Sequence, residues 1–285
     1  LHHKNVYLKV GGDFPLNAHY GFHHYAMWGG NSPDYGQMPE DWEAYKKVFL
    51  ARKGDTANVP LREVLNSMGD HKGSRNFGLD YEGEDFGLQL YWQTIFEDNS
   101  GKVWRNIEDG LWGIVYKNRE ERPLLGSALY EFLHTTDQSG TIHEIGDSIV
   151  GGNDNYFNHG LYSSGWTSYR HTIGTPLITS PIIDRTDSGK ILVNNKVIAH
   201  HLGLSGWLLD NLQYKTLLTY SINYGTNDKP YDPFQREFSF LTELFYQIPK
   251  NPSWMIKTKL AGDLGKMYGP NFGIMVSVVR RSIEF

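Results

Sequence analysis

The sequence has no cysteine among its 285 residues. Without thiols the chain has neither a disulfide framework nor a thiolate metal site. It also lacks any run of the roughly 18 apolar residues that a transmembrane helix requires, which excludes membrane spanning by helices. The net charge is only −5, from 27 basic and 32 acidic residues. A balance this mild predicts no nucleic-acid partner.

Aromatic residues, by contrast, are abundant, with 18 Tyr, 14 Phe and 8 Trp, and the chain holds 31 Gly. The mean hydropathy is −0.48. A membrane-spanning β-strand needs about 10 residues of alternating apolar and polar character, so the mean hydropathy of a membrane β-barrel stays low. Rings of aromatic side chains mark the two membrane interfaces of such barrels. The composition is therefore compatible with an outer-membrane β-barrel.

Alternation with a period of two residues is the main structural signal. Within Leu212–Tyr224, residues such as Leu212 and Leu218 share a face that suits lipid, and Lys215 and Thr219 share a face that suits a polar lumen. The pattern predicts an all-β fold, a transmembrane outer-membrane β-barrel with about 11 strands in this chain. The predicted strands are Asn5–Phe14, Ala18–Trp28, Ser74–Tyr81, Asp85–Phe96, Leu111–Lys117, Leu124–Thr135, Lys196–Leu209, Leu212–Tyr224, Arg236–Gln247, Trp254–Asp263 and Phe272–Phe285.

The connections between these strands alternate in length. Short turns are predicted at Pro15–Asn17, Glu82–Glu84, Asn118–Pro123, Asp210–Asn211 and Ile248–Pro252. Long connections are predicted at Gly29–Gly73, Glu97–Gly110, Asp137–Asn195, Gly225–Gln235 and Gly262–Asn271. Outer-membrane barrels place short turns in the periplasm and long loops outside, so we expect the long loops to face the cell exterior. Helices are predicted within the first long loop, at Pro39–Leu50 and around Pro60–Met68.

The strand count bears on how much of a barrel the chain holds. Bacterial barrels have an even number of strands, whereas the predicted count here is odd. We therefore expect residues 1–285 to form the C-terminal portion of one β-barrel domain, with N-terminal strands and a signal peptide missing from this sequence. The terminal Phe285, with Ile283 and Val279 at alternate upstream positions, is typical of the end of an outer-membrane barrel.

Several segments resemble the capsule-assembly Wzi family of Gram-negative outer membranes. They are NYFNHGLYSSGW at 155–166, RHTIGTP at 170–176, HHYAMWGG at 23–30, NFGLDY at 76–81, QTIFED at 93–98, DGLWG at 109–113, YEF at 130–132 and TTDQSG at 135–140. The resemblance implies an eighteen-stranded outer-membrane barrel that holds capsular or related surface polysaccharide. Its expected partners are this polysaccharide, outer-membrane lipid and lipopolysaccharide, and other outer-membrane proteins in a complex.

The connection Asp137–Asn195 carries the candidate binding residues. Sugar sites use aromatic faces for the apolar side of a pyranose, and planar amides or carboxylates for its hydroxyls. On this basis we predict carbohydrate binding by Asp154, Asn155, Tyr156, Asn158, His159, Tyr162, Trp166, Arg170, Trp104 and Tyr35. The alternative is that the loop folds into the lumen as a plug, in which its polar groups satisfy one another.

Two other functions stay open at the level of sequence. A porin-like channel would need an open lumen, which the long loops are able to seal. A barrel hydrolase would need a nucleophile and a base, and Ser205 and His201 share a strand face, but about 13 Å apart. No H-E-x-x-H metal motif is present. The sequence therefore predicts a binding protein that is not an enzyme, with no metal and no cofactor.

Overall fold

The chain is described from a computed structural model that covers residues 1–12, 14–32, 34–55, 64, 67–97, 106–141, 144–145, 148–149, 152–183 and 192–280. Eleven long strands form one antiparallel sheet in which each strand pairs with its neighbours in sequence. They are β1 His2–Val10, β2 Leu16–Met27, β3 Asp70–Glu82, β4 Phe86–Phe96, β5 Gly110–Asn118, β6 Ser127–His134, β7 Val197–Leu209, β8 Leu212–Gly225, β9 Pro230–Gln247, β10 Trp254–Gly265 and β11 Asn271–Arg280.

This sheet confirms the predicted all-β class and all eleven predicted strands. An up-and-down antiparallel sheet of this size, with consecutive strands paired, is the wall of a β-barrel. The eighteen-strand total and the C-terminal position of the chain within it stay predictions. The last residues of the strand predicted at Phe272–Phe285, 281–285, lie outside the described part of the chain.

One face of the sheet is apolar across its full width. Residues that pair directly from strand to strand form a row of mostly aliphatic side chains, which we call the aliphatic row. It contains three aromatic rings, a single hydroxyl and no charge. Its members are Val10, Ala18, Leu79, Leu90, Ile114, Tyr130, Leu202, Leu218, Phe240, Gly262 and Phe272. Two residues away on β1 to β10 lies a second row, mostly aromatic, which we call the aromatic row. It is formed by Leu8, Tyr20, Phe77, Trp92, Trp112, Phe132, His200, Tyr220, Phe238 and Leu264. We call this face the outer face.

The opposite, inner face carries polar side chains that bond across the strands. His201 Nδ1 lies 2.7 Å from Thr219 Oγ1, and the Ser239 hydroxyl donates to Asp263 over 2.6 Å. Gln89 likewise donates to Asp80 over 2.8 Å. The assignment of Leu218 to the outer face and Thr219 to the inner face follows the alternation predicted from the sequence.

A cavity of about 580 Å³ lies against the inner face. Residues from seven strands, β2 to β8, line one side of it, and Phe157, Trp166 and Leu177 of the β6–β7 connection line the other. The sheet therefore curves around this connection. We call residues 152–183 of this connection the plug loop.

The first long connection, 28–69, contains the helix α1, Trp42–Phe49. Asp41 caps its start by accepting a hydrogen bond of 2.8 Å from the Ala44 amide. Val48 packs with Ala26 of β2 and with Met68, and Phe49 contacts the His2 ring, which places the helix at the start of β1 and the end of β2. The helix predicted at Pro39–Leu50 is confirmed, with a later start. The segment predicted at Pro60–Met68 lies mostly outside the described residues.

Two connections predicted to be long are short. β8 and β9 are joined by residues 226–229, and β10 and β11 by residues 266–270. The prediction of long connections at Gly225–Gln235 and Gly262–Asn271 was wrong because β9 already begins at Pro230 and β10 continues to Gly265. Most side chains at these strand ends are exposed, so the alternation that marks a half-buried strand is lost there. No helix in the described ranges is long and apolar enough to cross a membrane.

Candidate functional site

A buried amide network holds the plug loop to the sheet. The side-chain nitrogen of Asn195, just before β7, donates to Asn155 Oδ1 over 2.6 Å and to the Tyr156 carbonyl over 2.7 Å. Asn158 donates to the Leu192 carbonyl and accepts from the Leu192 amide, over 2.9 and 3.0 Å. Such paired donors and acceptors satisfy a buried backbone that has no strand partner.

A cluster of charged groups fixes the loop at the start of β3 and the end of β4. The Lys72 ammonium lies 2.6 Å from Asp70 and 3.0 Å from Glu97, and 5.5 Å from the centre of the Trp166 ring. Glu97 also accepts a hydrogen bond of 2.8 Å from the Phe157 amide. Burial raises the pKa of Glu97 to about 8, although Lys72 acts in the opposite direction. The carboxyl group of Glu97 thus couples the plug loop to the sheet.

The start of the β6–β7 connection has a second anchor, the fully buried Asp109. Its carboxylate accepts from the amides of Asp137 and Gln138 over 3.0 and 2.6 Å, and lies 2.9 Å from His134 Nδ1. The other ring nitrogen of His134 lies 2.9 Å from the Thr136 hydroxyl. The two oxygens of Asp109 are therefore engaged in shaping the chain where it leaves β6.

The structure separates the predicted binding residues into two groups. The first group points into the protein. Tyr156 is 0 % exposed and its hydroxyl accepts from Asn106 over 2.7 Å, and Trp166 is 3 % exposed. Asn155 and Asn158 belong to the amide network, and Asp154 accepts from the Ser139 hydroxyl over 2.5 Å. These contacts correspond to the plug alternative.

The second group lines an open cleft of about 510 Å³ between the plug loop and the start of the β2–β3 connection. We call it the rim cleft. Tyr162 and Arg170 of the predicted set line it, and His159, which lies outside the lining, contacts the Tyr162 ring at 5.2 Å between centroids. The remaining lining residues are Gly29, Gly30, Asn31, Ser32, Met38, Leu161, Ser163, Ser164, Thr167, Tyr169 and Pro181.

Tyr169 is the aromatic residue of the rim cleft that the sequence reasoning missed. It lies with Arg170 in the two-residue turn between the short strands Thr167–Ser168 and His171–Thr172, and its side chain is 94 % exposed. Both residues have positive φ, 48° and 66°. Such hairpin turns favour Asn-Gly, and a bulky residue in this region costs about 1 kcal/mol or more. The exposure of this aromatic ring and guanidinium follows from the turn conformation, which the sequence pattern did not predict.

The other two predicted residues lie apart from the lining. Tyr35 is 54 % exposed in the turn between the short strands Asn31–Ser32 and Gly36–Gln37, the first of which lines the rim cleft. Trp104 lies outside the described residues.

The structure does not bring together the serine and histidine considered for a hydrolase. Ser205 lies 2.8 Å from the hydroxyl of Ser127, and His201 lies 2.7 Å from that of Thr219. Within the described ranges, no group of three or more His, Asp or Glu side chains is placed to hold a metal ion.

Comparison with known proteins gives one distant structural similarity. No protein-family model matches the sequence. No curated protein matches it either. Among solved structures, a triple mutant of the porin of Rhodopseudomonas blastica aligns over 96 % of this chain and 88 % of its own, at 7 % identity and a TM-score of 0.25. A similarity at this level carries no information on function.

Proposed function

We propose that this chain forms the wall of a bacterial outer-membrane β-barrel and binds surface polysaccharide in the rim cleft, without chemistry. The observation that carries the proposal is the outer face of the sheet. A surface apolar across eleven strands, with aromatic side chains lining one side of it, is what lipid requires of a barrel wall. In water the same surface would be a large exposed apolar patch that soluble monomers avoid.

The height of the apolar surface supports this placement. On β8 it extends from Leu212 to Tyr220, eight residue steps that span about 27 Å along the strand. A strand tilt of about 40° reduces this to about 20 Å along the barrel axis, near the apolar band of about 25 Å in known barrels. The aromatic row lies toward the long connections and so corresponds to the interface on that side. The long connections would then face the cell exterior.

The rim cleft supports the choice of ligand. It is open and has a mixed polar and apolar lining that includes the exposed ring of Tyr169 and the amide of Asn31. The Arg170 guanidinium also borders it, and one of its nitrogens donates to the Pro181 carbonyl over 3.0 Å. An open cleft admits a long chain, whereas a closed pocket admits only its end. The resemblance to the capsule-assembly Wzi family favours capsular or related surface polysaccharide as the ligand class.

The test compares cleft variants with a matched surface variant. Tyr169→Ala and Arg170→Ala are expected to weaken binding of purified capsular polysaccharide to the purified protein by about tenfold each, since stacked rings and charge-assisted hydrogen bonds carry about 1–2 kcal/mol. Phe14→Ala removes a 68 % exposed aromatic ring at the opposite, short-turn end and is expected to change nothing. Equal affinities for all three variants and the parent protein would exclude the rim cleft as the binding site.

A channel is the second candidate, because the inner face is polar and a cavity lies against it. The plug loop opposes this function by lying across that cavity. A sealed barrel is expected to give no steady ionic conductance in a planar bilayer. Conductance of porin size would favour the channel.

A further inference from the structure

The inner face carries an unusual row of side chains near the short-turn end, four strands wide. Direct cross-strand pairing places Lys117 of β5 beside Ser127 of β6, Ser127 beside Ser205 of β7, and Ser205 beside Lys215 of β8. We call these four residues the lysine row. We infer that the lysine row is a binding site for an oxyanion, such as the carboxylate or phosphate group of an acidic sugar.

The dimensions of the lysine row suit one small anion. The two lysines are separated by three strand spacings, about 14 Å between their Cα atoms. Each lysine side chain reaches about 6 Å, and side chains on the concave face of a curved sheet converge. The two ammonium groups are therefore able to meet over the serine pair between them.

The serine pair adds a hydrogen-bond donor at the centre of the row. Ser127 Oγ lies 2.8 Å from Ser205 Oγ, so one hydroxyl donates to the other. The second hydroxyl keeps its own proton, which is available for an anion above the pair. Two ammonium groups that flank a hydroxyl give the open side of the row mainly donors and positive charge, which favours an anionic, acceptor-only ligand.

The acidic groups near the row are already engaged. Glu243, which pairs with Lys215 across β8 and β9, lies 2.7 Å from Lys259 and 3.1 Å from Lys257. Glu82, two strands from Lys117, pairs with Arg119 in the adjacent turn. Four lysines and two glutamates therefore share this part of the inner face, and neither Lys117 nor Lys215 has an ionic partner among the described residues.

The lysine row is separate from the rim cleft, so it does not depend on sugar binding there. Along β8, Lys215 lies four residues from Thr219, which lines the cavity under the plug loop. This separation is about 13 Å. The inner face thus has its anion site beyond the plug, on the short-turn side. An acidic sugar or a phosphate that enters from the short-turn side would reach this site without passing the plug loop.

The experiment titrates the full chain in detergent micelles with three probes: sodium glucuronate, inorganic phosphate and neutral glucose. The parent protein is expected to bind at least one of the two anions and not glucose. In Lys117→Gln/Lys215→Gln the affinity for that anion is expected to fall by about 100-fold, since each lysine contributes a charge-assisted hydrogen bond worth about a factor of ten. Ser127→Ala/Ser205→Ala is expected to lose about tenfold by the same reasoning.

The control is Lys9→Gln/Lys250→Gln, which removes the same charge from two exposed positions outside the row. It is expected to keep the parent affinity. Equal losses in both lysine pairs would show unspecific attraction to positive charge and would overturn the proposal, as would the absence of anion binding by the parent. Binding of glucuronate alone or of phosphate alone would identify the source of the anion. The rim-cleft variants are expected to bind these small anions like the parent protein, whatever their affinity for polysaccharide. The two proposals can therefore be rejected independently.

Discussion

Tyr156 and Tyr169 lie in one loop and have opposite environments. The Tyr156 hydroxyl is buried against Asn106, whereas the Tyr169 side chain is almost fully exposed at a strained turn. Composition alone gives both tyrosines the same potential for sugar binding. Their roles diverge because partners from distant connections, such as Asn106, enclose one of them. The sequence therefore indicates which loop is unusual, but not which of its side chains face the solvent.

A pair of hydroxyl deletions tests this contrast. Tyr156→Phe leaves the buried donor of Asn106 without its acceptor and is expected to lower the free energy of unfolding by about 1–3 kcal/mol. Tyr169→Phe removes an exposed hydroxyl and is expected to change that free energy by less than about 0.5 kcal/mol. Urea titration of the protein folded into lipid vesicles measures both. Similar losses for the two variants would contradict the assigned environments.

Glu97 gives the loop anchor a pH dependence. Its ordinary pKa is 4.5, and burial raises the pKa in the folded protein to about 8. The folded state therefore holds the proton more tightly than the unfolded state. This contribution to stability is fully present below about pH 4.5 and is lost as the pH rises through about 8.

The expected result is a urea midpoint that falls between pH 5 and pH 9, with a smaller slope in Glu97→Gln, where no proton is exchanged. Glu120→Gln, at an exposed position of the β5–β6 turn, serves as the control and is expected to keep the parent slope. If Glu97→Gln also keeps the parent slope, the dependence belongs to another group.

At the scale of elements, alternation predicts each of the eleven long strands but not all of their ends. The start of β9 is one of the missed ends. Residues 230–235 precede the first β10 partner, which pairs with Glu237, and within this stretch only Pro230 and Gln235 pair with β8. Pro230 and Pro233 are tolerated because a strand edge needs no amide donor there. The prolines and exposed polar residues of this stretch favour a loop in a sequence-based prediction, although the backbone here is already extended.

Adjacent residues on β8 test which face meets lipid. Leu218→Arg places a charge in the aliphatic row and is expected to cost about 2–4 kcal/mol of folding free energy in a bilayer. Thr219→Arg places the same charge on the inner face, beside the cavity, and is expected to cost less. Folding yields in lipid vesicles at increasing urea compare the two. A larger loss for Thr219→Arg would reverse the assignment of the faces.

At the scale of the whole molecule, the barrel wall was predictable and the arrangement of the plug loop was not. Strand pairing is local in this sheet, since each strand pairs with its neighbours in sequence. The plug loop instead depends on contacts between separate connections. Asn227, from the β8–β9 turn, donates to Gln138 Oε1 and to the Asp154 carbonyl over 3.1 and 2.8 Å. No periodicity in the sequence predicts such contacts.

The most direct test uses two single-tryptophan variants in vesicles of brominated lipid, which quenches only rings in contact with acyl chains. One keeps Trp112, in the aromatic row of the outer face, and the other keeps Trp166, a buried residue of the plug loop. Phenylalanine replaces the other seven tryptophans in each. A lipid-embedded barrel wall with a loop folded inside it predicts strong quenching of Trp112 and none of Trp166. Absence of quenching for both, with the protein folded, would contradict a place in the membrane.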